Sequence, residues 1–139
     1  MHPRTKIFVV EQDCGKLINI MLFLEQFPEF ELVGSSARAC ELNWQLQQAN
    51  VDVILIDSEA QDAEGLATIR NIRAAASAPA VLLLCAGEPT AAEKILQSEA
   101  DGLMRRNSGI KDLAESIRRV HNKHKAVATV AKLPRTKAG

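Results

Sequence analysis

The 139-residue sequence has no net charge, no CxxC pair and no apolar run near the roughly 18 to 20 residues that a membrane span needs. It opens on Met1-His2-Pro3-Arg4-Thr5-Lys6 and passes directly into the short apolar run Ile7–Val10, so neither a signal peptide nor an anchor is expected. Three cysteines, Cys14, Cys40 and Cys85, are odd in number and widely spaced, which argues against a disulfide framework and a zinc knuckle and points to a reduced, cytoplasmic chain. No GxGxxG or GxxxxGKS follows the first apolar run. The residues there, Glu11-Gln12-Asp13-Cys14-Gly15-Lys16, would set acids against a phosphate. Histidine occurs only near the chain ends, as His2, His121 and His124, so no Ser-His-Asp or Cys-His arrangement is expected and the sequence does not read as an enzyme. His121 and His124 have HxxH spacing but no third ligand type nearby, and they read as solvated.

The zero net charge conceals an asymmetry. Residues 121–139 carry Lys123, Lys125, Lys132, Arg135 and Lys137 without an acid, which leaves residues 1–120 with 12 bases against 17 acids. An acidic body lacks the clustered cations that face phosphates in nucleic-acid complexes, so direct nucleic-acid binding is not expected. The division expected is a domain over 1–120 and a basic, flexible C-terminal tail over 121–139.

What is there is a repeating pattern. Ile7–Val10, Val53–Ile56, Ala80–Leu84 and the weaker Gly102–Met104 are short, nearly continuous apolar runs, with a further strand expected at Glu31–Gly34. Runs without polar alternation suit strands covered on both faces of a parallel sheet. Between them, apolar residues recur with helical spacing: Leu17, Ile20, Met21 and Leu24; Leu42, Leu46 and Ala49; Leu66, Ile69 and Ile72; Ala91, Ile95 and Leu96; Ile110, Leu113, Ala114 and Ile117. Asp13, Ser36, Thr90 and Ser108 stand where N-caps belong. The order is β-α five times over. It predicts an α/β fold, a doubly wound five-stranded parallel sheet with five helices.

Ligands of such sheets sit at the carboxyl ends of the strands. Polar residues do gather there: Glu11-Gln12-Asp13, Asp57-Ser58-Glu59, Cys85-Ala86-Gly87 and Arg105-Arg106-Asn107. Nothing comparable is expected at the opposite rim.

The stretch Val51-Asp52-Val53-Ile54-Leu55-Ile56-Asp57, followed by Glu64-Gly65-Leu66 and later by Ala100-Asp101-Gly102-Leu103, resembles the receiver domain of bacterial two-component response regulators, in a form similar to receivers attached to LuxR- or NarL-type outputs. The likeness runs from residue 6 to about 120. It implies the CheY-like, flavodoxin-like strand order 2-1-3-4-5 and a phosphorelay signalling role exercised through protein–protein contacts. A sensor histidine kinase would be the phosphoryl donor, and Asp57 the acceptor. It also implies Mg²⁺ held by Glu11, Gln12, Asp57 and Glu59, with Arg106 in the place of the family's lysine and Cys85 in the place of its threonine. Three positions depart from the family pattern. Gln12 is a neutral amide where a carboxylate ligates the metal, so a weak or lost site is expected. Cys85, or Leu84 in the alternative register, replaces a hydroxyl donor. Arg106 presents a planar fork able to pair with Asp57 or Glu59. Family precedent places a homodimer face at about 90–120, with Ile95, Leu103 and Ile110 as apolar positions to inspect. The leading expectation is thus an atypical stand-alone receiver. A phosphorylation-independent pseudo-receiver module and a small-ligand-binding domain on the same sheet stay open as alternatives.

Overall fold

A computed structural model describes residues 3–38, 50–58, 63–74, 78–88, 90–105 and 111–132. The elements are β1 (Thr5–Val10), α1 (Cys14–Glu25), β2 (Phe30–Ser36), β3 (Val53–Asp57), α2 (Ala63–Ala74), β4 (Ala80–Cys85), α3 (Ala91–Glu99), β5 (Gly102–Arg105) and α4 (Lys111–Lys132). All strand pairs are parallel, and the sheet has five strands in the order β2-β1-β3-β4-β5. The fold class and strand order expected from the sequence are those observed. Four helices are described; the one expected through Leu42, Leu46 and Ala49 lies outside the described residues.

The strands alternate their side chains between two cores. Ile7, Val9, Val53, Leu55, Leu82, Leu84 and Met104 face α1 and α4, where they meet Ile20, Phe23, Leu24, Leu113, Ile117 and Val120. Phe8, Val10, Ile54, Ile56, Val81, Leu83 and Cys85 face the other way, toward Ile69 and Ile72 of α2. Every residue of β3 and β4 is therefore buried, which is why these runs carry no polar alternation. Each Leu or Ile so enclosed contributes about 1.5–3 kcal/mol. β2 lies at the sheet's edge and is only half-buried along much of its length.

Two of the expected caps hold. Asp13 accepts the Lys16 N–H at the start of α1, and Thr90 forms a reciprocal capping box with Glu93 at the start of α3. Ser36 instead ends β2, with its hydroxyl donating to Arg38 O at 3.1 Å; Ser108 lies outside the described residues. At its far end, α4 runs through Val120 to Lys132, so the helix continues into the basic segment rather than ending with the apolar stripe. At 22 residues it is about 33 Å long. No helix is long and apolar enough to cross a membrane, among the described residues.

Candidate functional site

β1 pairs with β2 on one side and β3 on the other, so the chain reverses its direction of winding between β1 and β3. This opens a crevice at their carboxyl ends. The pairing Val10↔Ile56 brings the next residues, Glu11 and Asp57, to the same level. Both are buried, at 3% and 4% exposure. The Glu11 N–H still donates to Ser36 O at 2.9 Å, which keeps this residue tied to the sheet beyond the last ladder pair. Gln12 and Asp13 are exposed. Across the sheet Asp57 is level with Leu84, and Cys85 follows one residue on, level with Arg105. The topology thus brings together Glu11, Asp57 and Cys85 of the expected site. Glu59 and Arg106 lie outside the described residues, as does Ile110. Arg105, Arg106's neighbour, pairs with Glu88 at 2.8 Å on the same rim.

Ser58 belongs to the Asp57-Ser58-Glu59 cluster expected at this rim, with no role of its own assigned from the sequence. It is 4% exposed, and its hydroxyl donates to Glu93 Oε2 of α3 at 2.7 Å. Glu93 also receives the Thr90 N–H at 3.4 Å, and the neighbouring Cys85 thiol helps to hold its carboxyl low. The Ser58 bond is the main reason the Glu93 carboxyl is held below its usual range, against the opposing effect of burial. Cys85 is fully buried. Burial pushes its thiol above the usual value, reinforced by the charges of Glu93 and Asp57, while Ser58 opposes the shift. At neutral pH Cys85 is therefore a protonated, weakly donating thiol engaged inside the rim.

A hard divalent cation needs several oxygen donors and compensating charge. The described residues place the carboxylates of Glu11 and Asp57 on neighbouring strands, the neutral Gln12 amide beside them, and Asp13 in use as the α1 cap, accepting from Lys16 N at 3.0 Å. No group of three or more His, Cys, Asp or Glu side chains converges as a metal-holding set among the described residues. Among the described residues this donor set does not supply the oxygen donors and charge that Mg²⁺ needs.

The opposite rim is not bare, contrary to the expectation from the sequence. Asp52 Oδ2 accepts the Lys6 N–H at 2.8 Å, and Asp101 Oδ2 accepts the Val81 N–H at 2.7 Å together with Arg73 Nη1 at 2.6 Å. Each aspartate precedes a strand and ties it to its neighbour. His121 and His124 are half-buried on this rim rather than solvated. His124 Nε2 donates to Ala78 O at 2.5 Å, with Nδ1 3.8 Å from Asp101 Oδ1. These polar contacts, which carry no hydrophobic periodicity, seat α4 past Val120.

An open groove of about 430 Å³ lies between β5 and α4, floored by Leu103 and Met104 and edged by Arg105, Asp112, Glu115 and Arg119. On α3, Ile95 is 49% exposed; on α1, Ile18 and Leu22 are 53% and 56% exposed.

No family model matches the sequence, and no curated protein does. Solved structures do match. The isolated REC domain of RcsB from Salmonella enterica serovar Typhimurium, in its apo form, superposes with a TM-score of 0.74 at 16% identity, over 86% of this chain and 90% of that one. A DNA-binding response regulator of the LuxR family from Staphylococcus aureus gives 0.74 at 17% identity, over 85% of this chain and 99% of that one. A chain from the complex of the P1 domain of CheA3 with CheY6 from R. sphaeroides gives 0.73 at 21% identity, over 87% and 99%. The sheet order agrees with these likenesses, and the chain has the fold of response-regulator receiver domains.

Proposed function

We propose that this chain is a signalling domain of the receiver type, atypical in its rim, that works through protein–protein contacts with Asp57 as its phosphoryl acceptor. The observation that carries the reading is the placement of Asp57: a buried carboxylate at the carboxyl end of the central strand, beside the crevice and level with Glu11. In the step proposed, a carboxylate oxygen of Asp57 attacks the phosphorus of a phosphohistidine. The new O–P bond forms as the P–N bond breaks, and the departing imidazole nitrogen takes up a proton. A sensor histidine kinase would be the donor. That one structural neighbour is a complex between a CheA3 P1 domain and CheY6 supports this class of partner. Glu59 and Arg106 belong to the same proposal as the further acid and the cation of the rim.

The α3–β5–α4 side supplies the candidate contact surface, with Ile95 exposed and the Arg105, Asp112, Glu115 and Arg119 groove beside it; a homodimer through residues 90–120 would use it. The direct test is transfer of labelled phosphate from a phosphohistidine domain to the chain. Label in the wild type and none in Asp57→Asn supports the acceptor assignment; equal label in both overturns it.

A second reading, a pseudo-receiver module that signals without phosphorylation, is favoured by two features. Gln12 brings no charge to the rim, and β4 ends in the Cys85 thiol, a weak donor, where a hydroxyl would be a good one.

A further inference from the structure

The alternation of β3 puts Asp57 on the side of Val53 and Leu55, and Ser58, one residue on, on the side of Cys85 and α3. Peptide geometry thus couples two neighbours that face different layers. Ser58 is almost fully enclosed, its hydroxyl donates at 2.7 Å to a carboxylate thirty-five residues away, and that carboxylate sits in the first turn of α3. A hydrogen bond to a charged acceptor is among the stronger kinds. The fully buried Cys85, which ends the neighbouring strand β4, lies beside this pair. Among the described side chains, two further positions of the helix mark its far end and its outer face. Arg70 reaches Glu99 at 3.1 Å at its far end, where the arginine is 53% exposed, and Ile95 faces outward.

We propose that Ser58 and Glu93 form the positioning pair that seats α3, and with it the exposed Ile95, on the Asp57 end of the sheet. A change at Asp57 then reaches this helix through the adjoining Ser58, and the residue ending β4 is a passive support. The functional meaning of this link rests on the reading of Asp57 as the working group; the link itself does not. An anion built onto Asp57, one residue from Ser58 at the same end of the sheet, would repel the Glu93 carboxylate and strain the Ser58–Glu93 bond, loosening the first turn of α3.

The test is amide hydrogen exchange on the full chain, with Ser58→Ala, Glu93→Gln and Thr90→Ala beside the wild type, in unmodified protein. Ser58→Ala is expected to speed exchange over Lys94–Glu99 about tenfold while amides of β3 and β4 keep their rates. Glu93→Gln keeps an acceptor oxygen and gives a smaller rise. Thr90→Ala, which removes the cap but not the link, affects the first turn alone. A carboxyl titration of Glu93 by NMR adds a readout that general loosening does not supply: in Ser58→Ala it moves up toward the usual 4.5. Unchanged exchange over Lys94–Glu99 together with an unmoved Glu93 titration overturns the proposal. Phosphoramidate labelling of Asp57, run on the same samples, decides the acceptor reading separately, since the exchange comparison needs no modification.

Discussion

Gly102 in β5 stands so close to Val120 of α4 that a β-carbon on it would lie 2.6 Å from Val120 Cγ1. The helix is thereby packed directly on the backbone of the last strand, one residue after Asp101 has fixed the start of that strand. Ala100-Asp101-Gly102 is thus a packing device at the amino end of β5, at the opposite end of the sheet from Asp57.

Gly102→Ala is expected to destabilise the protein by about 1–3 kcal/mol, the usual cost of forcing a methyl group into a close-packed contact. Thermal or urea denaturation measures it. Val120→Ala in the same chain should recover part of the loss, so that the double variant is less destabilised than the two single costs added together.

Asp101→Ala removes the acceptor shared by Arg73 and the Val81 N–H. The half-buried guanidinium and a sheet-end N–H then lose their partner, and a loss of about 1–3 kcal/mol is expected from the urea midpoint. Removing Arg73 as well should cost little more, because the two residues act on one contact.

His121 carries the clearest pH signature. Burial is the largest cause depressing its pKa below 6.5, the Lys125 charge adds to this, and Asp52 opposes it. A histidine depressed in the folded state is neutral there while the unfolded chain protonates first, so its stability contribution is complete above about pH 6.5 and is lost as pH falls below that value. Glu29 and Glu93 are also depressed, from 4.5, so their stabilising share is lost only on further acidification below about 4.5. Urea midpoints at pH 7.5 and 5.5 should fall between the two for the wild type and change less for His121→Gln.

The strands were legible because β1, β3 and β4 are buried on both faces and so read as unbroken apolar runs. Their order placed Glu11, Asp57 and Cys85 on one rim without any contact being known. Two things were not legible. The Ser58–Glu93 bond joins residues thirty-five positions apart, and Glu93 has an ordinary local role in the Thr90 capping box that accounts for it without a long-range partner. The seating of α4 past Val120 depends on His121, His124, Asp52 and Asp101, whose polar side chains leave no trace in hydrophobic periodicity. A pair of aspartates, each just ahead of a strand, and two histidines one helical turn apart were the available signal.

Whether Asp57 accepts a phosphoryl group is decided by intact-protein mass spectrometry after incubation with phosphoramidate, with and without Mg²⁺ and beside Asp57→Asn. The prediction is a gain of one phosphoryl mass in the wild type and none in the variant. No gain in the wild type at any Mg²⁺ concentration, or an equal gain in Asp57→Asn, contradicts the claim and leaves the phosphorylation-independent reading in its place.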